Sequence, residues 1–205
     1  MTVVALLLAA YALGSIPTSY LVGRSRGVDL REHGSGNLGG TNVYRVLGPG
    51  AAAPVLLIDV AKGWAPVALF PAWDGSGQPT LALAYGLAAI AGHVWSLFLR
   101  FQGGKGVATG AGVLVALAPL TTLVAFLVWA GVVLITRIVS VASLAAVSVV
   151  PPVAYLTDAP RPTILFTVGV ALFVWWTHRE NLARLMRGQE LRFRRRGSAG
   201  EEGAP

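Results

Sequence analysis

The chain alternates between long apolar runs and short polar segments rich in glycine. Five stretches contain no charged residue, and they cover residues 2–23, 79–99, 107–136, 138–157 and 162–177. A helix needs about 20 apolar residues to cross a bilayer, and several of these stretches reach that length. Because lipid leaves the edge of a strand without hydrogen-bond partners, the pattern predicts an all-α fold, a polytopic helical bundle integral to the membrane.

The apolar runs divide into seven predicted transmembrane helices. Their expected bounds are residues 2–23, 51–72, 79–99, 107–119, 120–136, 138–155 and 162–176. Residues 107–136 allow more than one interpretation: one long helix, two short helices broken near Pro119, or one helix with a re-entrant piece. Proline removes a hydrogen bond from the helical ladder and disfavours helical geometry in the residue before it, so we favour the break.

The distribution of basic residues decides between six and seven spans, since lysine and arginine collect in cytoplasmic loops. With seven spans and the N-terminus outside, every basic cluster falls inside, and only Arg161 lies outside. With six spans the arginine-rich tail would lie outside. We therefore predict about seven transmembrane helices with a cytoplasmic C-terminus, a single transmembrane catalytic domain over residues 1–190, and a basic, disordered tail over residues 191–205.

Composition supports a membrane protein and limits its chemistry. Hydrophobic residues make up 55% of the chain and charged residues 12%, whereas soluble domains carry about 25% charged residues. The net charge of +7 would suggest nucleic acid in a soluble protein, but here it fits cytoplasmic loops that face anionic lipid. Cysteine is absent and acidic residues and histidines do not cluster, so we predict no thiol chemistry, no metal site and no nucleic-acid partner.

The first polar segment, residues 34–45, has the composition of an anion-binding loop. Its first nine residues contain four glycines and four hydrogen-bonding side chains. Glycine allows successive backbone N–H groups to point into one concavity, which binds anions. Glycine and asparagine are also common in ordinary loops, but their density here favours a functional loop. Arginine adds a planar cation that pairs well with phosphate. The candidates are Ser35, Gly36, Asn37, Gly39, Thr41, Asn42 and Arg45.

The second polar segment ends where a long apolar run begins at Val107, so we expect it at the N-terminus of a helix. Such an end carries free N–H groups and a partial positive charge that suit an anion. Lys105 adds a full charge between glycines. The alternative role of this lysine is to anchor the topology, which would not require the glycines. The candidates are Gly103, Gly104, Lys105, Gly106 and Thr109.

The third polar segment follows the last apolar run. His178 and Asn181 are three residues apart, so on a helix they share one face. A histidine here can act as a general base or donate to a phosphate. The alternative is a solvated helix end, marked as a membrane interface by Trp175 and Trp176. The predicted topology places all three polar segments on the cytoplasmic side. The candidates in this segment are His178, Glu180 and Asn181.

Three ionisable residues lie inside predicted spans. Asp59 and Lys62 are three residues apart, and charges inside a membrane are costly unless they are paired or near water. Either they pair with each other on one helix face, or the lysine reaches to the interface. We predict a structural role for the pair, and we expect His93 to be hydrogen-bonded within the bundle.

These motifs resemble those of the bacterial acyl-phosphate:glycerol-3-phosphate acyltransferases (PlsY). The resemblance covers nearly the whole chain, to about Glu190, and the order and spacing of the motifs make it specific. The residues that carry it are Ser35-Gly36-Asn37-x-Gly39-x-Thr41-Asn42-x-x-Arg45, Gly103-Gly104-Lys105-Gly106-Val107-Ala108-Thr109, His178-Arg179-x-Asn181-x-x-Arg184-Leu185-x-x-Gly188-x-Glu190, Gly14-Ser15-Ile16-Pro17 with Tyr20, Asp59-x-x-Lys62-Gly63 and Gly92-His93. One departure is Trp95-Ser96, where members often carry Phe-Pro.

The resemblance implies an acyltransferase of the bacterial inner membrane. It implies that an acyl group moves from acyl phosphate to the 1-hydroxyl of sn-glycerol 3-phosphate. The products are lysophosphatidic acid and inorganic phosphate, in the first acylation of phospholipid biosynthesis. Neither a metal nor an organic cofactor is expected. The expected partners are the two substrates, the lipid bilayer and an enzyme that produces acyl phosphate, and the protein is expected to be a monomer.

Two phosphorylated substrates require two anion sites. We assign acyl phosphate to the first loop, and glycerol 3-phosphate to the Lys105 loop with either Arg45 or His178, although the two assignments can be exchanged. The base is either His178 or a substrate phosphate oxygen, and Ser35 lacks an adjacent base that would make it a nucleophile. The predicted catalytic residues are Ser35, Arg45, Lys105, His178 and Asn181, and the other candidates are predicted to bind substrate.

Two rival functions fit the pattern less well. Glycerolipid acyltransferases that use acyl-CoA or acyl carrier protein typically carry His-x-x-x-x-Asp, and no histidine of this chain has an aspartate at that spacing. A transporter of a phosphorylated metabolite places its site near the membrane midplane, whereas the three polar segments lie at one rim. An enzyme is therefore the favoured interpretation.

Overall fold

A computed structural model describes residues 2–76 and 78–193 of the chain. Within these two ranges all regular secondary structure is helical, and no strand occurs. The helices are α1 (Val3–Ser15), α2 (Thr18–Ser25), α3 (Gly40–Leu47), α4 (Pro49–Leu69), α5 (Thr80–Val94), α6 (Val107–Leu117), α7 (Pro119–Thr136), α8 (Val139–Leu156), α9 (Arg161–Thr177) and α10 (Arg179–Met186). The predicted all-α fold is confirmed for these residues, and residues 194–205 of the predicted tail lie outside them.

Seven apolar helical rods follow one another in the described part of the chain, in the order that hydropathy predicts. Five are long and apolar enough to cross a membrane by length and composition, namely Val3–Ser25, Pro49–Ala72, Thr80–Leu99, Pro119–Thr136 and Val139–Leu156. The two shorter rods are Val107–Leu117 and Arg161–Thr177. The first rod joins α1 and α2 across a bend at Ile16 and Pro17. Seven membrane crossings and the orientation of the termini stay predictions.

The apolar run that starts at Val107 contains two separate helices. Helix α6 ends at Leu117, Ala118 has φ −152° and ψ 71°, and Pro119 is the first residue of α7. Proline is tolerated in the first turn of a helix because its missing N–H has no partner there, and it keeps the preceding residue out of helical geometry. The structure therefore excludes one long helix and shows two helices broken before Pro119, whereas a membrane crossing by α6 stays a prediction. The two helices also have different main neighbours, since α6 packs on α4 and α7 packs on α8.

Glycines bring α4 and α6 into backbone contact. A Cβ atom on Gly112 would lie 1.9 Å from the carbonyl oxygen of Val60, and a Cβ atom on Gly63 would lie 2.0 Å from that of Thr109. Small residues permit such close approach, which lets membrane helices associate where lipid removes the hydrophobic driving force. The crossing fixes the N-terminus of α6 relative to the rest of the bundle. Helices α1 and α5 approach each other in the same way.

The three polar segments meet at one end of the bundle. Helices α2, α5, α7 and α9 end there, whereas α4, α6 and α8 begin there. Side-chain hydrogen bonds join the segments, from Lys105 to Asn181 and from Arg45 to the backbone carbonyl of Leu191.

Large apolar side chains cover the outer surface, and Ile135 is 83% exposed. Contiguous exposed apolar surface of this kind marks contact with lipid.

Candidate active site

A cavity of about 730 Å³ opens between α3, α4 and the helices from α6 to α10. Its volume falls within the usual range of about 300–1,000 Å³ for small-molecule sites. The end at the three converging segments is polar, and it is lined by Ser35, Asn37, Thr41, Asn42, Arg45, Lys105, Ser140, His178, Asn181 and Glu190. The remainder is an apolar groove between α6, α7 and α8, lined by residues that include Leu114, Pro119, Phe126, Val139 and Val147. One cavity therefore joins a polar end to an apolar channel.

The buried side chain of Asn42 holds the first loop in shape. Its Oδ1 accepts a 2.8 Å hydrogen bond from the backbone N–H of Ser35. Its Nδ2 donates to the carbonyl oxygens of Leu30 at 3.1 Å and His33 at 2.9 Å. Gly34 has φ +63°, and a Cβ atom there would lie 2.3 Å from the Asn42 Oδ1. Since the amide is occupied by the backbone, Asn42 positions the loop, and Ser35, Asn37 and Thr41 remain available to a ligand.

The glycine loop before α6 lies directly on α5. The backbone N–H of Gly104 donates to the carbonyl oxygen of His93 at 3.1 Å, and a Cβ atom on Gly103 would lie 2.0 Å from the same oxygen. Gly106 has φ +81° and precedes the first residue of α6, which lines the cavity together with Gly106. A left-handed residue at that position is best supplied by glycine. The first turn of α6, whose N–H groups have no partner within the helix, therefore borders the cavity.

A hydrogen-bond network joins Lys105 to the end of the third segment. The Lys105 Nζ donates to Asn181 Oδ1, and Asn181 Nδ2 donates to Glu190 Oε1 at 2.5 Å. Glu190 also accepts from Ser140 Oγ at 2.9 Å and from Arg184 Nε at 2.8 Å. A carboxylate only accepts and an ammonium only donates, so the network has one consistent direction. Asn181 therefore sets the position of the Lys105 ammonium.

The electrostatic environment of Lys105 leaves it charged but easily deprotonated. Burial lowers the pKa of Lys105 to about 8, and the positive charge of Arg184 acts in the same direction. At neutral pH most molecules still carry the ammonium. Burial also lowers the pKa of Arg45, but a guanidinium remains protonated at physiological pH. The polar end of the cavity accordingly holds two cations.

His178 lies buried at the junction of α9 and α10. Its Nδ1 is 2.8 Å from the carbonyl oxygen of Val174. A carbonyl can only accept, so Nδ1 carries the proton and Nε2 is the bare nitrogen. Burial, followed by the charge of Lys105, lowers the pKa of His178 to about 4. The imidazole is therefore neutral at pH 7 and can accept a hydrogen bond through Nε2.

Arg45 projects from the last turn of α3 into the same cavity. One terminal nitrogen donates to the carbonyl oxygen of Leu191 at 3.2 Å, and the guanidinium carbon lies 5.9 Å from the centre of the Phe193 ring. Its Nε is buried and has no hydrogen-bond partner among the described residues. A buried unpaired donor calls for an explanation, and a bound anion would supply the missing acceptor.

The structure brings most of the sequence-predicted residues together but not all. Those that line the cavity are Ser35, Asn37, Gly39, Thr41, Asn42, Arg45, Lys105, Gly106, His178 and Asn181. Gly36 has φ +69° within the first loop, Gly103 and Gly104 lie against His93, Thr109 is buried at the α4–α6 crossing, and Glu180 is exposed. The predicted roles of these five in substrate binding stay predictions, and none of the five lines the cavity.

A buried polar group lies beneath the glycine loop. Lys62 Nζ is 2.8 Å from Asp59 Oδ1 and donates to the carbonyl oxygen of Ile16 at 3.0 Å. Thr18 donates to the same carboxylate at 2.5 Å. The two charges are therefore paired, and the lysine does not extend to the interface. The expected hydrogen bond of His93 is not found for Nδ1, which is buried, lacks a partner among the described residues and lies 3.9 Å from Asp59.

Two supporting residues of the site were not among the sequence candidates. Ser140 and Glu190 line the cavity and complete the network around Asn181. Glu190 belonged to the motif that carried the family resemblance, so a signal for it existed. Ser140 lies in the first turn of an ordinary apolar helix, and nothing in its sequence surroundings marks it. Within the described residues no group of three His, Asp or Glu side chains could hold a metal ion.

The chain is similar to proteins of one family over nearly its whole length. The family model described as glycerol-3-phosphate acyltransferase matches residues 4–188. The glycerol-3-phosphate acyltransferase of Rubrobacter xylanophilus is 50% identical over 198 residues, which are 96% of this chain and 98% of the relative. That of Desulforudis audaxviator is 47% identical over 185 residues, 90% of this chain and 92% of the relative.

Solved structures show the same similarity. A crystal structure of PlsY (YgiH), described as an integral membrane glycerol 3-phosphate acyltransferase in its glycerol 3-phosphate form, superposes with a TM-score of 0.88 at 37% identity. It matches 94% of this chain and 96% of its own. The lysophosphatidic acid form gives a TM-score of 0.85 at 36% identity, over 94% of this chain and 95% of the other.

Proposed function

The chain belongs to the glycerol-3-phosphate acyltransferase family, and we propose that its acyl donor is an acyl phosphate. In this reaction the 1-hydroxyl oxygen of glycerol 3-phosphate attacks the acyl carbonyl carbon. A new ester bond forms, the bond between the acyl carbon and the phosphate oxygen breaks, and inorganic phosphate leaves. The other product is 1-acyl-sn-glycerol 3-phosphate, lysophosphatidic acid.

The main support for this proposal is that the polar end and the apolar groove form one continuous cavity. Arg45, Lys105 and the N-terminus of α6 supply positive charge at one end, and the groove towards Pro119 is apolar. An acyl phosphate has the matching shape, with a charged head and an apolar chain. Glycerol 3-phosphate has only a charged head and needs only the polar end. A donor with a large polar carrier would need further recognition elements.

The polar end offers donors for two phosphates. We propose that Ser35, Asn37 and Thr41 receive the acyl phosphate, because the loop held by Asn42 presents all three to the cavity. Lys105, with Arg45 or His178, then receives glycerol 3-phosphate. Donors held in place before the reaction stabilise the charge that develops on the departing phosphate. Catalysis by positioning also suits a donor that already carries a good leaving group.

The low pKa of His178 bears on the fate of the hydroxyl proton. With a pKa of about 4, the imidazole is a weaker base than a phosphate dianion, since the second pKa of a phosphoryl group is about 6. We therefore propose that the departing phosphate takes the proton. The bare Nε2 of His178 accepts a hydrogen bond from the attacking hydroxyl and orients it. This arrangement needs no covalent intermediate on Ser35.

We also propose that the site faces the cytoplasm of a bacterial cell, with seven membrane crossings and a cytoplasmic C-terminus. The support is the bias of basic residues, since Arg24, Arg26, Lys105 and Arg137 lie at the same end of the bundle as the cavity. An acyl-phosphate-producing enzyme would then act on the same side of the membrane. A tag placed after the last residue should be accessible only from the cytoplasm, and accessibility from outside would contradict this orientation.

The test of the proposed function compares three donors. Purified protein should release inorganic phosphate from palmitoyl phosphate only when glycerol 3-phosphate is present, with lysophosphatidic acid formed in equal amount. Palmitoyl-CoA and palmitoyl acyl carrier protein should give no product under the same conditions. Turnover with either thioester and none with palmitoyl phosphate would overturn the donor assignment while leaving the family membership intact.

A further inference from the structure

The last described residues cross the polar end of the cavity. Residues 190–193, which we call the C-terminal strap, follow α10 and contact two other parts of the molecule. At its start, Glu190 is bound by Asn181, Ser140 and Arg184. At its end, the backbone N–H of Phe193 donates to the carbonyl oxygen of Arg137 at 2.9 Å, in the turn between α7 and α8. The strap therefore has a fixed point at each of its two ends.

Between these fixed points the strap contacts α3. The carbonyl oxygen of Leu191 accepts a hydrogen bond from Arg45 at 3.2 Å. The ring of Phe193 lies 4.7 Å from that of Tyr44 at an angle of 56°, and 5.9 Å from the guanidinium carbon of Arg45. Residues 191–193 fall within the predicted disordered tail, yet in the structure they contact a predicted catalytic residue. Arginine has a long side chain with many rotamers, so such contacts restrict it strongly.

The groups that hold Arg45 are uncharged. One is a backbone carbonyl and the other is an aromatic face, and among the described residues Arg45 forms no ion pair with a carboxylate. A carboxylate partner would orient the guanidinium but would also cancel its charge and compete with a phosphate. A carbonyl and a ring orient the cation while its charge stays available. The unpaired Nε of Arg45 also remains free to donate.

We infer that the C-terminal strap is a positioning element of the active site, in which Phe193 and the Leu191 carbonyl hold Arg45 ready for a substrate phosphate. The inference deepens the proposed function, on which it rests, because it assumes that Arg45 binds phosphate during acyl transfer. Phe193 does not line the cavity. It acts through Arg45, so its removal should weaken phosphate binding more than it slows the chemical step.

The test uses full-length variants assayed with palmitoyl phosphate and glycerol 3-phosphate. Phe193→Ala should raise the KM for one of the two phosphates by about three- to tenfold, the effect of losing one aromatic contact, with a much smaller change in kcat. Phe193→Tyr keeps the ring and should restore the KM. Phe98→Ala is the matched control, because Phe98 is 58% exposed and does not line the cavity. It should leave both KM values unchanged.

A double-variant cycle distinguishes positioning of Arg45 from a general effect on the fold. In an Arg45→Ala background, Phe193→Ala should change the KM by less than about twofold. Thermal unfolding in detergent should show the Phe193→Ala variant folded. An unchanged KM in Phe193→Ala would refute the inference. The same fold-increase in KM with and without the Arg45 side chain would refute it as well.

A second measurement separates this inference from the donor assignment. Glycerol 3-phosphate and palmitoyl phosphate, each added alone, should raise the thermal unfolding temperature of the wild-type protein, and Phe193→Ala should require a several-fold higher concentration of one of the two for the same rise. This binding test needs no turnover. If wild-type protein fails to use palmitoyl phosphate, the donor proposal is wrong. The positioning role of the strap is then tested by the thermal-shift measurement of ligand binding alone. If wild-type protein turns over and the Phe193→Ala variant binds and reacts like it, the strap has no positioning role.

Discussion

Lys105 shows how one residue combines charge and position at this site. It lies just before α6, and its ammonium is held by Asn181 rather than by a carboxylate. Glu190 lies one hydrogen bond further away, behind the amide. The Asn181 amide fixes the position of the Lys105 ammonium but does not neutralise its charge. A buried cation with an uncharged partner is the expected design for a group that must bind an anion.

The lowered pKa of Lys105 predicts a pH dependence. The charged form is lost as pH rises through the pKa of about 8, so kcat/KM should fall above that pH. The Lys105→Arg variant keeps its charge at every accessible pH. Its lower activity should therefore show no falling limb near pH 8. Initial rates between pH 6 and about 10 measure this, and a wild-type profile that stays flat to about pH 10 would contradict the assignment of Lys105.

The buried pair of Asp59 and Lys62 predicts an asymmetric effect on stability. Asp59→Ala leaves the ammonium buried without its counter-ion, which should cost about 3–5 kcal/mol. The double variant Asp59→Ala/Lys62→Met removes both charges and should recover much of that loss. Thermal unfolding in detergent compares the three proteins. Equal destabilisation of the single and the double variant would show that the pair is not the source of the effect.

At the scale of elements, the position of the glycine loop depends on how α6 meets α4. The loop has contacts to α5 below it and to the first turn of α6 after it. Helix α6 is short and ends at Leu117, so it is held by its crossing with α4 rather than by its length. Close backbone contact at Gly63 and Gly112 therefore determines where Lys105 lies.

The crossing predicts that two glycines respond differently to the same change. In Gly112→Ala the new Cβ atom would lie 1.9 Å from the Val60 carbonyl oxygen, so α4 and α6 must separate, at a cost of about 1–3 kcal/mol. Gly131 in α7 has nothing within 4 Å of an added Cβ atom, and Gly131→Ala should be neutral or slightly stabilising. Unfolding temperatures of both variants check this. The prediction fails if both variants are equally stable.

At the scale of the whole molecule, the cavity exists only because distant parts of the chain assemble. Its polar end combines residues from near positions 40, 105 and 180, and its apolar groove lies between α6, α7 and α8. The break at Pro119 separates α6 from α7, and both helices line the groove. This arrangement places an apolar groove beside a polar end that carries positive charge.

The groove predicts control of acyl-chain length. Ala125 in α7 lines it, and Ala125→Trp would fill part of it with a large side chain. With palmitoyl phosphate, kcat/KM should fall by at least about tenfold, whereas decanoyl phosphate should lose much less. The KM for glycerol 3-phosphate should not change, because the polar end is untouched. An equal loss with both donors would show that the acyl chain lies elsewhere.

The sequence by itself determined the elements of this protein. Local hydropathy decides which segments can lie in lipid, and the seven predicted apolar runs correspond to the helical rods of the structure. The density of glycines marked the first loop, and the start of an apolar run marked the second loop, and both loops border the cavity. These two signals depend only on neighbouring residues, so the sequence alone contains them. The resemblance built on these motifs, to a family of glycerol-3-phosphate acyltransferases, is confirmed by the matches to that family.

Only the tertiary structure decided what each polar side chain does. Asn42 and Asn37 are similar residues of one motif, yet the first is occupied by the loop backbone and the second lines the cavity. Arg45 and Leu191 are 146 positions apart, and Lys105 and Asn181 are 76 apart. The physical reason is that a backbone preference acts between neighbours in the chain. Which groups become hydrogen-bond partners depends on helix packing, because packing brings together residues that no local sequence pattern connects.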